Sequence, residues 1–167
     1  AISSIRLHKD AGEIAALRTA IKVSEAALEA TLRQVRIGMT EKEVEAALLG
    51  ALFAAGAEAL AFPPIVAGGG NAAEPHPHAS DYRLKSGDTL LFDYGASYAG
   101  YNADVTRTVF VGAPSDEARR MYAVVQEANA VGRGAARAGT TAASVDDITT
   151  KVLEASPFAE FILTKTG

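Results

Sequence analysis

The stretch LLFDYGASYAGYNADVTRTVFVG, residues 90–112, decides how this chain is read. Residues 88–97 and 101–111 are rich in β-branched and aromatic types and read as the two arms of a hairpin. Two carboxylates, Asp93 and Asp104, sit inside this apolar ribbon. A tight turn at Tyr98–Ala99 places them opposite one another. Opposed Cβ atoms lie about 4.5–5.5 Å apart, where like charges destabilise a sheet. Either one carboxyl takes up a proton or a cation lies between the two. A shared proton is the arrangement of acid-protease dyads, which sit on loops in a different sequence context. Hard divalent cations suit an all-oxygen site, and carboxylates on a rigid sheet can bridge two ions about 3.5–4 Å apart. Metal is the better account. The bland alternative is a register in which one Asp faces solvent.

Composition narrows the function classes. The chain has 167 residues, 49% of them apolar and 22% charged, which suits one globular domain with its own core. The net charge of −4 supplies no attraction to nucleic acid or an anionic membrane, so neither is expected as a partner. No apolar run reaches the length of about 18 residues that a membrane span needs, and no signal-peptide pattern opens the chain, so a cytoplasmic setting is expected. Cysteine is absent, which excludes disulfides and thiolate metal sites.

Helical periodicity surrounds the hairpin. Ile14, Leu17, Ile21, Leu28, Leu32 and Val35 recur at helical spacing after an Asp10/Glu13 capping box. Thr40 with Glu43 caps a second helix whose stripe is Val44, Leu48, Leu52 and Ala55, ending at Gly56. Residues 62–67 read as a strand with an irregular, proline-bearing start. After Pro114 and Ser115 a helix carries Met121, Val124, Val125, Ala128 and Val131, and a shorter one from Thr141 carries Val145, Ile148 and Val152. RIGMTEKEV and RAGTTAASV align Arg36 with Arg137, Gly38 with Gly139, Thr40 with Thr141 and Val44 with Val145. The same offset pairs Arg18 with Arg119, Val23 with Val124 and Ala27 with Ala128. This is either chance similarity between alanine-rich segments or a duplicated α+β half.

FDYGASYAGYNADVTRTVFVG resembles the first metal-binding hairpin of the pita-bread metallopeptidases, in particular their prolidase and Xaa-Pro aminopeptidase branch. The Asp, the Gly two residues later and the Asp-x-Thr-Arg-Thr ending carry the resemblance. IRLHKDAGEIAALRTA, GMTEKEVEAAL, IVAGGGNAAEPH and LKSGDTLLFDYGA extend it along the chain in the same order. It implies an α+β pita-bread fold with pseudo-twofold halves, of which residues 1–167 are the first half plus the helices of the second. It also implies a metal-dependent exopeptidase hydrolysing Xaa-Pro bonds in a peptide or dipeptide, acting as a homodimer. Two divalent ions are implied, with Mn²⁺ the best match to oxygen donors and Co²⁺, Zn²⁺ or Fe²⁺ as alternatives. Asp93 corresponds to a ligand of one ion and Asp104 to the ligand bridging both. A His in a Gly-His-Gly segment and two Glu complete the family's site, and TKTG at 164–167 looks like the approach to that His. An additional N-terminal domain and the C-terminal remainder are expected outside this chain, which alone should be inactive. The alternatives are a methionine aminopeptidase-like enzyme, disfavoured by the Thr-Arg-Thr ending, and a non-catalytic peptide-binding module.

Other residues follow from position and chemistry. His76, in NAAEPHPHASD, matches the family histidine that faces the substrate, and Pro75 and Pro77 should stiffen its loop. His78 and His8 are expected to be solvated surface residues. Thr106 is placed to hydrogen-bond a metal ligand. Arg107 is expected to balance carboxylate charge, and Tyr94, Tyr98 and Tyr101 to pack on the sheet. The GGGN turn at 68–71 lacks the lysine and hydroxyl of a phosphate loop, and that reading is rejected.

Overall fold

A computed structural model describes residues 2–162 and divides into two compact units, residues 1–114 and 115–167. The TKTG stretch lies outside the described residues. In the first unit a short helix, α1 (Ile2–Leu7), precedes α2 (Ala11–Leu32) and α3 (Glu41–Ala54). Both expected capping boxes form: the Asp10 carboxylate accepts from Glu13 N, and Thr40 Oγ1 accepts from Glu43 N. Gly56, with φ +105°, lies just past the Ala55 cap of α3, where only a residue tolerant of the left-handed region ends a helix cheaply.

Six short strands follow: β1 (Ala59–Leu60), β2 (Ile65–Gly68), β3 (Thr89–Tyr94), β4 (Ala96–Tyr98), β5 (Tyr101–Asn102) and β6 (Val105–Phe110). They form two three-stranded antiparallel sheets, ordered β1-β4-β5 and β2-β3-β6. β3–β4 and β5–β6 are the two arms of the expected hairpin, each arm broken near its middle. The break has a steric cause. A Cβ on Gly95 would meet the Ala103 carbonyl oxygen at 1.8 Å, so only glycine permits the arms to cross this closely.

The register differs from the expected one. Tyr98 pairs with Tyr101, so the turn is Ala99–Gly100, one position later than the sequence suggested. Both turn residues have positive φ, +49° and +79°, which is the type I′ geometry that matches the twist of a two-residue hairpin. Asp93 therefore opposes Thr106 rather than Asp104.

β3 alternates strictly in burial, with Leu90, Phe92 and Tyr94 turned into the core and Leu91 and Asp93 on the other face. The core joins that face to Ala20, Val23, Ala27 and Leu28 of α2 and to Val44, Leu48 and Leu52 of α3. The α3 stripe is as expected. On α2, however, Ile14 and Ile21 are exposed, and the buried stripe is Ala20, Val23, Ser24, Ala27, Leu28 and Thr31. Hydrogen bonds explain the preference for small residues. Tyr94 Oη donates to the Ser24 carbonyl at 3.0 Å and Ala96 N donates to Ser24 Oγ at 2.9 Å, contacts that require the helix axis to lie close to the strands. Burial pushes the Tyr94 phenol up to about 12.

The second unit contains α4 (Asp116–Ala135), capped by Ser115, and α5 (Ala142–Glu154), capped by Thr141. They pack at a close crossing where Gly132 faces Thr149. On α4, Ala128 is buried and Val125 is exposed. The duplicated segments repeat in backbone conformation as well as in letters. Gly38 and Gly139 have φ of +90° and +88°, and Thr40 and Thr141 both cap helices.

Candidate metal centre

The alternation of β3 turns Asp93 onto the face away from the helices. Thr106, directly opposite on β6, shares that face, and its hydroxyl donates to Asp93 Oδ1 at 3.0 Å. Asp104 stands two residues before Thr106, beside the Gly95 crossing. Although the two aspartates are not opposed, both line one cleft of about 420 Å³. Its remaining lining is Phe62, Pro63, Pro64 and Ile65, which lead into β2, and His76, Pro77 and His78. The lining therefore combines an apolar segment, two carboxylates and two imidazoles.

The sequence-derived candidates thus converge: His76, Asp93 and Asp104 share the cleft, and Thr106 supports Asp93. His78 is solvent-exposed, as expected, and also lines the same cleft. Pro77 is the buried member of its loop, which anchors the imidazoles on either side of it. Arg107 does not balance the carboxylates. Its guanidinium donates to the Thr106 carbonyl, and among the described residues neither Asp93 nor Asp104 has an ion-pair partner. Two acidic groups on one face with no cationic side chain between them are a donor set that fits a hard divalent cation. Among the described residues, no group of three or more such side chains gathers at one point.

Sequence reasoning missed Glu41. It follows the Thr40 cap, is fully buried, and accepts hydrogen bonds from Gly68 N, Asn71 Nδ2, Ser80 N and Ser80 Oγ. Burial favours the neutral acid, yet the bonds from Gly68, Ser80 and Asn71 outweigh it and hold the carboxyl below the usual range. The available signal was spacing: Glu41 lies three residues before Val44, on the line of the α3 apolar stripe. Two donors of the Gly-rich turn at 68–71, Gly68 N and Asn71 Nδ2, are thus taken by a carboxylate of the same chain.

A larger cleft of about 640 Å³ lies between Leu32–Ile37 and Val109–Gly112. Its lining is apolar except for Arg36 and offers no acid, base or ligand. No helix among the described residues is long and apolar enough to cross a membrane.

The hairpin thus presents two carboxylates to a cleft that two imidazoles also line, a set of side chains of the kind that binds metal. Residues 15–167 match the pattern of metallopeptidase family M24, and the chain belongs to that family. Membership implies divalent metal ions. The chain is 34% identical over 166 residues to the Xaa-Pro dipeptidase of Pyrococcus furiosus, covering 99% of this chain and 48% of that protein. It superposes on the X-Pro aminopeptidase of Thermotoga maritima with a TM-score of 0.92 and 40% identity, covering 95% of this chain and 45% of that one. The prolidase from Pyrococcus furiosus gives the same TM-score at 34% identity, covering 98% and 48%. The pita-bread fold implied by the hairpin is therefore present in part. The chain spans about half the length of the curated relatives it matches.

Proposed function

We propose that this chain supplies the first carboxylates of a dinuclear metal centre in an exopeptidase that cleaves Xaa-Pro bonds. The observation that carries the reading is the convergence of Asp93, Asp104 and His76 on one cleft. Divalent ions bound there supply Lewis acidity and lower the pKa of water. The chain's own residues do the rest. Asp93, held by Thr106, keeps its other lone pairs available for a cation. Asp104, from the other arm, is proposed as the ligand shared by two ions. His76, which lines the same cleft, is proposed to stabilise charge on, or return a proton to, the peptide group before proline. The apolar wall from Phe62 to Ile65 excludes water on one side of that peptide.

Mn²⁺ is the proposed metal, because the two side chains proposed as ligands, Asp93 and Asp104, are oxygen donors. Two carboxylates leave such ions underligated, so the remaining ligands are proposed to come from residues beyond these 167, and the chain alone is proposed to be inactive. A homodimer acting in the cytoplasm completes the proposal, by resemblance. The test is Asp104→Asn in the full-length polypeptide. Metal content should fall and Xaa-Pro hydrolysis should drop by about 10³-fold or more, as expected for losing a group on the reacting centre. Unchanged metal content and unchanged turnover would remove Asp104 from the mechanism, whereas a wild type that neither binds metal nor cleaves Xaa-Pro peptides would favour a peptide-binding module.

A further inference from the structure

Neither imidazole of the cleft is fixed by a hydrogen bond of its own among the described residues, so the position of His76 depends on its loop. That loop runs from Gly68, at the end of β2, to Ser80. Its two ends are tied to one group. Glu41 accepts from Gly68 N at 2.6 Å and from Asn71 Nδ2 at 2.9 and 3.1 Å on the outgoing side. On the returning side it accepts from Ser80 N at 2.8 Å and Ser80 Oγ at 2.6 Å. Main-chain bonds from Lys42 N to Ser80 O and from Glu41 N to Tyr82 O lengthen the seam. Asn71 Nδ2 also reaches the His78 carbonyl at 3.3 Å, linking the clasp to the histidine segment itself.

A carboxylate with no solvent exposure needs this many donors to remain charged, and a charged acceptor shortens and strengthens each bond. Among the described residues, the donors come from both ends of a single 13-residue segment and from nowhere else. That selectivity distinguishes a clasp from a general packing role. We propose that Glu41 is the positioning residue of this site, setting the place of His76 over Asp93 and Asp104 by clasping both ends of the Gly68–Ser80 loop. The inference rests on the peptidase reading above for its catalytic consequence, and on the hydrogen bonds alone for the clasp.

Glu41→Gln keeps the side-chain volume but turns one acceptor into a donor that faces N–H and O–H donors. In the Mn²⁺-loaded full-length polypeptide, kcat should fall about 10²-fold, the scale of an ångström-level misplacement, with metal content unchanged. Adding His76→Ala to Glu41→Gln should lower kcat by less than about threefold more, because residues acting as a unit are not additive. Amide exchange at Ala72–Ala79, read without substrate, should speed up about tenfold or more as the loop opens locally. Exchange at the wild-type rate, an unchanged kcat, or a full multiplicative loss on adding His76→Ala would each overturn the proposal. If the wild type does not cleave Xaa-Pro peptides, the peptidase reading fails, and the exchange comparison decides the clasp by itself. Should Glu41→Gln not fold, Asn71→Ala and Ser80→Ala each remove one loop-side donor and carry the same expectations at smaller size.

Discussion

Replacing Thr106 by valine removes one hydroxyl and keeps the β-branched shape that suits a strand, so the perturbation is confined to one contact. The contact is the 3.0 Å bond to Asp93 Oδ1. A hydrogen bond to a charged group contributes about 1.5–3 kcal/mol. Thr106 is exposed and Asp93 half-buried, so water takes over part of the bond and the lower end applies. That is about 1.5 kcal/mol, a factor of slightly more than ten. The loss should fall on metal affinity, because the hydroxyl fixes the rotamer of a ligand, and partners of metal ligands typically change affinity about 10–100-fold. The assay is competition between the full-length polypeptide and a chelator for Mn²⁺, with urea denaturation of the metal-free protein alongside. Kd should rise about tenfold while metal-free stability stays within about 0.5 kcal/mol. An unchanged Kd refutes the reasoning, and so does a stability loss equal to the affinity loss, which would assign the bond to the fold.

Three further predictions follow from the hairpin. Gly95→Ala forces the Ala103 carbonyl aside and should lower unfolding free energy by about 3 kcal/mol, measured by denaturant titration. Ala99→Asn relieves an alanine held at φ +49° and installs the favoured Asn-Gly pair, so stability should rise by about 0.5–1 kcal/mol in the same assay. Tyr94, one of five tyrosines, should ionise last in an alkaline absorbance titration, near 12. Because its folded pKa lies above the ordinary 10, its contribution is complete below about pH 10 and is lost as pH rises through about 12. Tyr94→Phe should remove that alkaline step.

The parts legible in the sequence were those set by local rules. Capping boxes at Asp10 and Thr40, the stop at Gly56 and the two aspartates of the hairpin each follow from a few adjacent residues. What the sequence concealed depended on tertiary contacts. The turn slipped by one position because Ala99 occupies a left-handed site that its side chain does not advertise, and the slip moved the partner of Asp93 by two residues. The buried face of α2 was misread because close approach to the strands selects Ala, Ser and Thr over the larger isoleucines. Glu41 escaped notice because its donors lie in segments beginning at Gly68 and Ser80, and a carboxylate beside a capping threonine looks like an ordinary first-turn acid.

Asp93 and Asp104 reach the same cleft by a route different from direct opposition, and the proposal that a cation joins them rests on that shared cleft. Anomalous diffraction from Mn²⁺-soaked crystals of the full-length polypeptide addresses this directly. Density is expected in the cleft within bonding distance of both carboxylates, at about 2.0–2.3 Å as for hard cations with oxygen ligands. Manganese bound only elsewhere, with the two side chains solvated and apart, would contradict the account.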